Sequence, residues 1–251
     1  MNNEKPTPPN LSRKKLDRLI QNLKKRGGGE APQRIGPRSP RDLPAPLSSA
    51  QERLWFLYRL EPASAAYNLT AVMRFDRLFD RVALERARAE ILRRHESLRS
   101  VVDRGPAGRP VQRVLDAAAV APSAVADLTG LGAARAATES ERLTVGLART
   151  PFDLARGPLL RFLQVVRLVQ SERRGGDGGE MVANLVVSVH HLVADGWSIG
   201  LFVRELQALY RAFASGEASP LDGPSLQFGD FAAWQKDRME RGELEEAREY
   251  W

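Results

Sequence analysis

Two of the three histidines in this chain stand side by side in VVSVHHLVADGWS, Val186 to Ser198. An imidazole near neutral pH can accept a proton, donate one or bind a metal. The pair therefore allows three readings: a metal site, a proton-transfer site or two ordinary buried side chains. The apolar, β-branched run MVANLVVSV leads into them, which places both at or just beyond a strand end. Successive strand side chains point to opposite faces, so His190 and His191 cannot easily chelate one ion, and His95 is far away in sequence. The same alternation sends one ring inward and leaves the other to face a cleft, where a neutral imidazole is a natural general base. Asp195 is placed to orient the following loop or to pair with an arginine. Gly196 permits close approach of a substrate, and Ser198 is placed to cap the next helix. On the residues alone, catalysis and a pair of core histidines beside a turn stay equally open.

The elements that must position this stretch alternate between α and β. Ser48 or Ser49 caps a helix through AQERLWFLYRL, AAYNLTAVMRF reads as a strand, and Asp80 caps a helix with Leu84, Ala87, Ile91 and Leu92 on one face. LRSVV and PVQRVL read as short strands, and AARAATESERLTVGLAR as a helix. PLLRFLQVVRLV and MVANLVVSVHH are long β-rich runs joined through RRGGDGGE, the pattern of an antiparallel hairpin. After the histidines, Ile199, Phe202, Leu206, Leu209 and Phe213 fall at helical spacing. Mixed strands under helices make the fold class α/β, a sandwich of mixed β-sheet and helices.

With 251 residues and 43% hydrophobic content the chain can fill a substantial core. The net charge of +7 suggests nucleic acid at first. However, residues 1–41 hold 11 Lys/Arg against 3 Asp/Glu, while the remainder holds 27 against 28. The body is neutral, and nucleic acid is not expected as a partner. Cysteine is absent, so disulfides and thiolate metal sites are excluded, which fits a cytoplasmic location. MNNEKPTPPNLSRKK lacks the apolar core of a signal peptide, and no run approaches the ~20 apolar residues of a membrane span. Half of the 16 prolines precede Leu47. Residues 1–42 read as a basic, Pro/Gly-rich leader, and residues 43–251 as the folded body. Within the leader, LSRKKLDRLIQNLKKRGGG is a short helix with Leu16, Leu19, Ile20 and Leu23 on one stripe. Such a helix packs on its own body or serves as a linker or docking helix.

Read as a motif, HHLVADG resembles the HHxxxDG signature of the condensation domains of nonribosomal peptide synthetases. Four more stretches resemble family segments in the same order: LSSAQERLWFLYRLEP, RRHESLRS, PFDLARGPLLR and FGDFAAWQ. The resemblance spans Leu43 to Trp251 and implies the chloramphenicol-acetyltransferase-like fold, in which two lobes form a V around a tunnel. It implies an acyltransferase of secondary-metabolite biosynthesis that forms an amide bond. An upstream carrier thioester gives its acyl or peptidyl group to the amine of a downstream carrier-bound aminoacyl group. No cofactor or metal is implied as bound; substrates arrive on the phosphopantetheine arms of upstream and downstream peptidyl carrier proteins.

Residue by residue, the resemblance makes His191 the catalytic histidine, acting on the amine proton or holding the amine, and His190 a structural one. Asp195 is expected to shape the site through a salt bridge, and Gly196 to turn its N–H toward an oxyanion. Arg94 and Arg99 are expected to hold the architecture. Trp234 and Asp230 match the fourth motif, with Trp234 read as a core side chain. Phe228 and Phe231 stand where the family carries tyrosines. The DGWS ending is similar to the subtype that joins L-residues. The body is about half a full condensation domain, so the chain is expected to be the first lobe, ending at EEAREYW before a second lobe or a neighbouring synthetase module. Two alternatives are a non-catalytic carrier-docking module and a trimeric acyltransferase of the chloramphenicol acetyltransferase type.

Overall fold

The computed structural model describes residues 34–40, 43–76, 80–170 and 179–243. Contacts divide the chain into residues 1–35 and 36–251, and the elements described here belong to the second unit. The expected leader helix, the RRGG part of the hairpin connection and the EEAREYW end lie outside the described residues.

Seven strands and five α-helices follow in chain order among the described residues. The strands are β1 (Ala45–Pro46), β2 (Asn68–Asp76), β3 (Ser100–Arg104), β4 (Pro110–Val114), β5 (Ala124–Asp127), β6 (Leu160–Gln170) and β7 (Gly179–His190). The helices are α1 (Ser49–Leu60), α2 (Arg81–Arg94), α3 (Ala133–Arg149), α4 (Gly196–Ala214) and α5 (Phe228–Glu240). One sheet has the order β2-β7-β6-β5 and a smaller one β1-β4-β3. In the larger sheet β7 runs antiparallel to both neighbours, with Val189 opposite Leu69 on one side and Leu160 on the other. β5 joins parallel to β6. The mixed α/β fold is thus as the sequence implies.

Strand β7 is buried on both faces, which explains its nearly unbroken apolar run. Leu185, Val187 and Val189 join Leu160 and Phe162 of β6 in a core with Leu84, Ile91, Phe202, Leu206 and Leu209 of α2 and α4. On the other face, Val186 joins Leu163 and Val165 under Ala136 of α3. Each of these Leu, Ile, Val and Phe side chains stabilises the fold by roughly 1.5–3 kcal/mol if its burial is complete. A two-residue shift of β7 would preserve these faces, whereas a one-residue shift would exchange them.

Local chemistry sets the helix starts. At α1, Ser48 Oγ accepts from the Gln51 N–H and Gln51 Oε1 accepts from the Ser48 N–H, a reciprocal capping box. At α2, Asp80 accepts from the N–H groups of Val82 and Ala83. α3 begins and ends where the sequence places it. LRSVV divides instead: Glu96–Arg99 forms a 3₁₀ turn, and the strand begins only at Ser100. There the Leu98 N–H bonds back to the His95 carbonyl, so the first residues of the run follow α2 before the chain extends.

The PFDLARGPLLR stretch makes a tight turn into β6. Asp153 accepts from the N–H groups of Ala155 and Arg156, while Phe152 and Leu154 enter the core. Gly157 sits at φ +60, and a Cβ there would meet Val101 Cγ1 at 2.5 Å. Glycine meets both demands of the turn.

Candidate functional site

The paired histidines terminate the central strand and diverge in environment. His190 closes β7 opposite Asn68 and is only 3% exposed. Its N–H donates to the Leu159 carbonyl at 3.0 Å. Its Nδ1 accepts from the Leu192 N–H at 3.1 Å, which places the ring proton of the neutral form on Nε2. Tyr67 lies tilted against the ring and Phe152 edge-on, with centroids 6.3 and 6.1 Å away. Burial, and then the charge of His191, pushes the His190 pKa down to about 4. At neutral pH it is an uncharged, hydrogen-bonded wall of the site.

His191 has the opposite setting. Its side chain is exposed, while its N–H donates to the Tyr67 carbonyl at 2.8 Å. The chain then turns, with the Val193 N–H on the His190 carbonyl, and Leu192, Val193 and Ala194 are buried. An accessible imidazole therefore stands on a backbone held from both sides. Such a ring can exchange a proton with a bound substrate.

Asp195 has no salt-bridge partner among the described residues. Among the described residues its carboxylate is the N-cap of α4: Oδ1 accepts from the Ser198 N–H and from Ser198 Oγ, each at 2.7 Å. These bonds, Ser198 side chain first and backbone second, lower its pKa, and the His191 charge contributes in the same direction. The cap is accordingly Asp195 and not Ser198, which stands third in the helix and supplies donors. Gly196 is the first helical residue, and no carbonyl four residues earlier in the helix is available to its N–H. Trp197 follows with 84% of its surface exposed.

Arg94 and Arg99 both bond to the framework. Arg94 Nη1 donates to the carbonyls of Leu221 and Asp222 at 3.0 and 2.6 Å, and its Nε lies 3.3 Å from Glu205 of α4. His95 Nε2 lies 2.6 Å from the same carboxylate. Burial pushes the Glu205 carboxyl up, but the His95 and Arg94 hydrogen bonds outweigh it and leave its pKa lowered. Arg99 Nε donates to the Leu92 carbonyl at 2.9 Å, and Nη1 donates to that of Leu115. Beside His95, a cavity of about 100 Å³ opens between the large sheet and the start of α4, lined by Ser97, Leu160, Val187, Ser198 and Ile199.

Trp234, expected as a core side chain, is half-buried, and among the described residues it belongs to neither core cluster. The Phe231 ring lies tilted against it with centroids 5.9 Å apart, and Arg238 lies over its ring at 5.0 Å. Asp230 is the buried member of that motif. It accepts from the Gln227 N–H at 2.8 Å and from the Arg38 N–H at 3.0 Å, so a residue of the proline-rich stretch is tied to α5. Gln51 also escaped the sequence reading: its amide reaches the carbonyl of Leu192, the residue after His191. Its place in a capping-box pattern was the available signal, but that pattern points only to the helix start. Among the described residues no group of three or more His, Asp and Glu could hold a metal ion. Nor is any helix among them long and apolar enough to cross a membrane.

Comparison with known proteins places this geometry. The sequence profile of the family described as Condensation domain matches residues 44–251. Chondramide synthase cmdD of Chondromyces crocatus is 45% identical over 216 residues, 84% of this chain and 5% of that protein. The first condensation domain of the CDA synthetase superposes with a TM-score of 0.66 at 25% identity, covering 83% of this chain and 49% of that one. The complex of the X-domain and OxyB from teicoplanin biosynthesis gives a TM-score of 0.64 at 28% identity, covering 85% of this chain and 42% of that one. The chain belongs to the condensation-domain family of peptide synthetases. It spans a small part of the synthetases it matches and about half of the solved condensation-domain chain.

Proposed function

We propose that this chain carries the histidine-bearing half of a condensation site that joins two carrier-bound substrates through an amide bond. The observation that carries the reading is the exposed His191 imidazole on a pinned backbone, next to a buried histidine held neutral. The acceptor amine attacks the donor thioester carbonyl. The carbon–nitrogen bond forms, and collapse of the tetrahedral intermediate breaks the carbon–sulfur bond. His191 accepts the proton that the amine loses and returns it to the departing thiolate, leaving a free phosphopantetheine thiol on the upstream carrier. Gly196 offers its N–H to the oxyanion. A second lobe covers the His191 face and completes the tunnel. Upstream and downstream carrier proteins are the partners, L-configured residues the substrates, and no bound cofactor takes part.

The test is amide formation between loaded carriers, with the second lobe supplied. His191→Ala should lower the rate by about 10²–10⁴-fold, the usual cost of losing a general base, and leave the melting temperature close to that of the wild type. Wild-type turnover in that variant would refute the assignment.

The likeness to the X-domain, solved as a complex with OxyB, supports a second reading as a docking module. Carrier binding with no amide formed by the wild-type protein would favour it.

A further inference from the structure

Gln51 lies on α1, far from the histidines in sequence, yet it is 2% exposed, and its side-chain amide accepts one hydrogen bond and donates two. Its Oε1 accepts from the Ser48 N–H at 3.0 Å, which belongs to the capping box. Its Nε2 donates at 3.1 Å to the Leu192 carbonyl and at 3.3 Å to Gln112 Oε1 on β4. Gln112 is buried too, and its own Nε2 donates at 2.7 Å to the Pro46 carbonyl of β1. This chain of amides fixes which end of each side chain is the donor.

A capping box is satisfied by Glu as well as by Gln, because only an acceptor is needed. The second half of the Gln51 amide therefore serves something beyond the helix start. A carboxylate in its place would turn lone pairs toward the Leu192 and Gln112 oxygens. The bond it makes to the loop completes a clamp: the Leu192 N–H is held by His190 Nδ1 and its carbonyl by Gln51. One residue earlier, the His191 N–H is held by Tyr67. The exposed ring of His191 thus stands between two anchored peptide units, held by Tyr67 and His190, and Gln51 secures the next unit along, between Leu192 and Val193.

We infer that Gln51, oriented by Gln112, is a positioning residue for His191, setting where the imidazole stands relative to the reacting amine. The inference rests on His191 being the catalytic base. The effect follows from the sensitivity of proton transfer to geometry, since displacement of a catalytic group by about 1 Å can cost about 10²-fold in rate.

Gln51→Glu separates positioning from capping, since it retains the cap acceptor and removes both donors. At mildly alkaline pH, with the second lobe and loaded carriers, kcat should fall by about 10–10²-fold while KM for each carrier stays within about two-fold. In the nuclear magnetic resonance spectrum of the protein, the His191 ring signals should shift while those of His95 stay in place. Wild-type kcat in a folded Gln51→Glu protein overturns the inference, as does a lowered kcat with unmoved His191 signals. If Gln51→Glu does not fold, Gln112→Met decides: it leaves the cap intact and releases the amide that orients Gln51. A smaller fall in kcat with the same His191 shift supports the inference; unchanged kcat overturns it. His191→Ala run alongside keeps the two readings apart. Wild-type turnover there rejects the proposed function, whereas inactive His191→Ala with fully active Gln51→Glu rejects only the role of Gln51.

Discussion

His95 and His191 each follow a structural element and each has an acid nearby, but the two neighbourhoods differ in what the acid holds. At His95 the carboxylate of Glu205 holds the ring itself, at 2.6 Å, and shares its oxygens with Arg94. Through Arg94 the same cluster reaches the carbonyls of Leu221 and Asp222, so it joins α2, α4 and the segment before α5. At His191 the carboxylate of Asp195 holds the helix, through Ser198, and the ring remains exposed. A histidine bound to a partly buried acid works as scaffold. At His191 the backbone and the helix cap take up the neighbouring groups, and among the described residues the exposed ring has no acid holding it.

The contrast can be broken most forcefully at Glu205. Glu205→Ala leaves Arg94, 6% exposed, without its carboxylate, and removal of one partner of a buried pair costs about 3–5 kcal/mol. Chemical denaturation should show a loss near the lower end of that range, because Arg94 keeps its two carbonyl acceptors. A loss below about 1 kcal/mol would mean that the cluster is not scaffold.

His190 sharpens the contrast through pH. Its pKa is about 4 in the folded chain against about 6.5 when unfolded. The unfolded state therefore binds more protons between these values, and stability falls as pH drops from about 6.5 to about 4. Full expression of that difference is worth roughly 3 kcal/mol. In His190→Phe this part of the acid slope should be absent from a series of denaturation curves, whatever the variant's absolute stability. An unchanged slope would show that another group carries it.

Asp195 should give the smallest effect. As a cap, its replacement in Asp195→Ala should cost about 1 kcal/mol, and Asp195→Asn should restore most of that. If Asn is as poor as Ala in thermal melts, the negative charge matters more than the acceptor, and the helix dipole outweighs the cap.

Much of the frame was legible because it is governed by local pattern. The apolar stripe of AARAATESERLTVGLAR and the alternation through β7 describe neighbours one turn or two residues apart, and the observed α3 and the opposed settings of His190 and His191 follow from them. What escaped involves partners far apart in the chain. Ser198 is as good a cap as Asp195 by residue type, and only the path of the chain after β7 decides between them. Trp234 has the apolar bulk of a core residue, but α5 turns that side toward Phe231 and Arg238 and buries Asp230 instead.

By itself the sequence determined that this is a mixed α/β chain with an apolar strand ending in two histidines on opposite faces, because side-chain direction repeats with the backbone. It also determined the family, because several short motifs occur in one order. Tertiary structure alone decided which acid is coupled to which ring, that Arg38 anchors on Asp230 and that Gln51 reaches the loop after His191. Buried donors and acceptors must find partners. In those cases the partner is supplied by another element, whose position is set by core packing and not by any local run of residues.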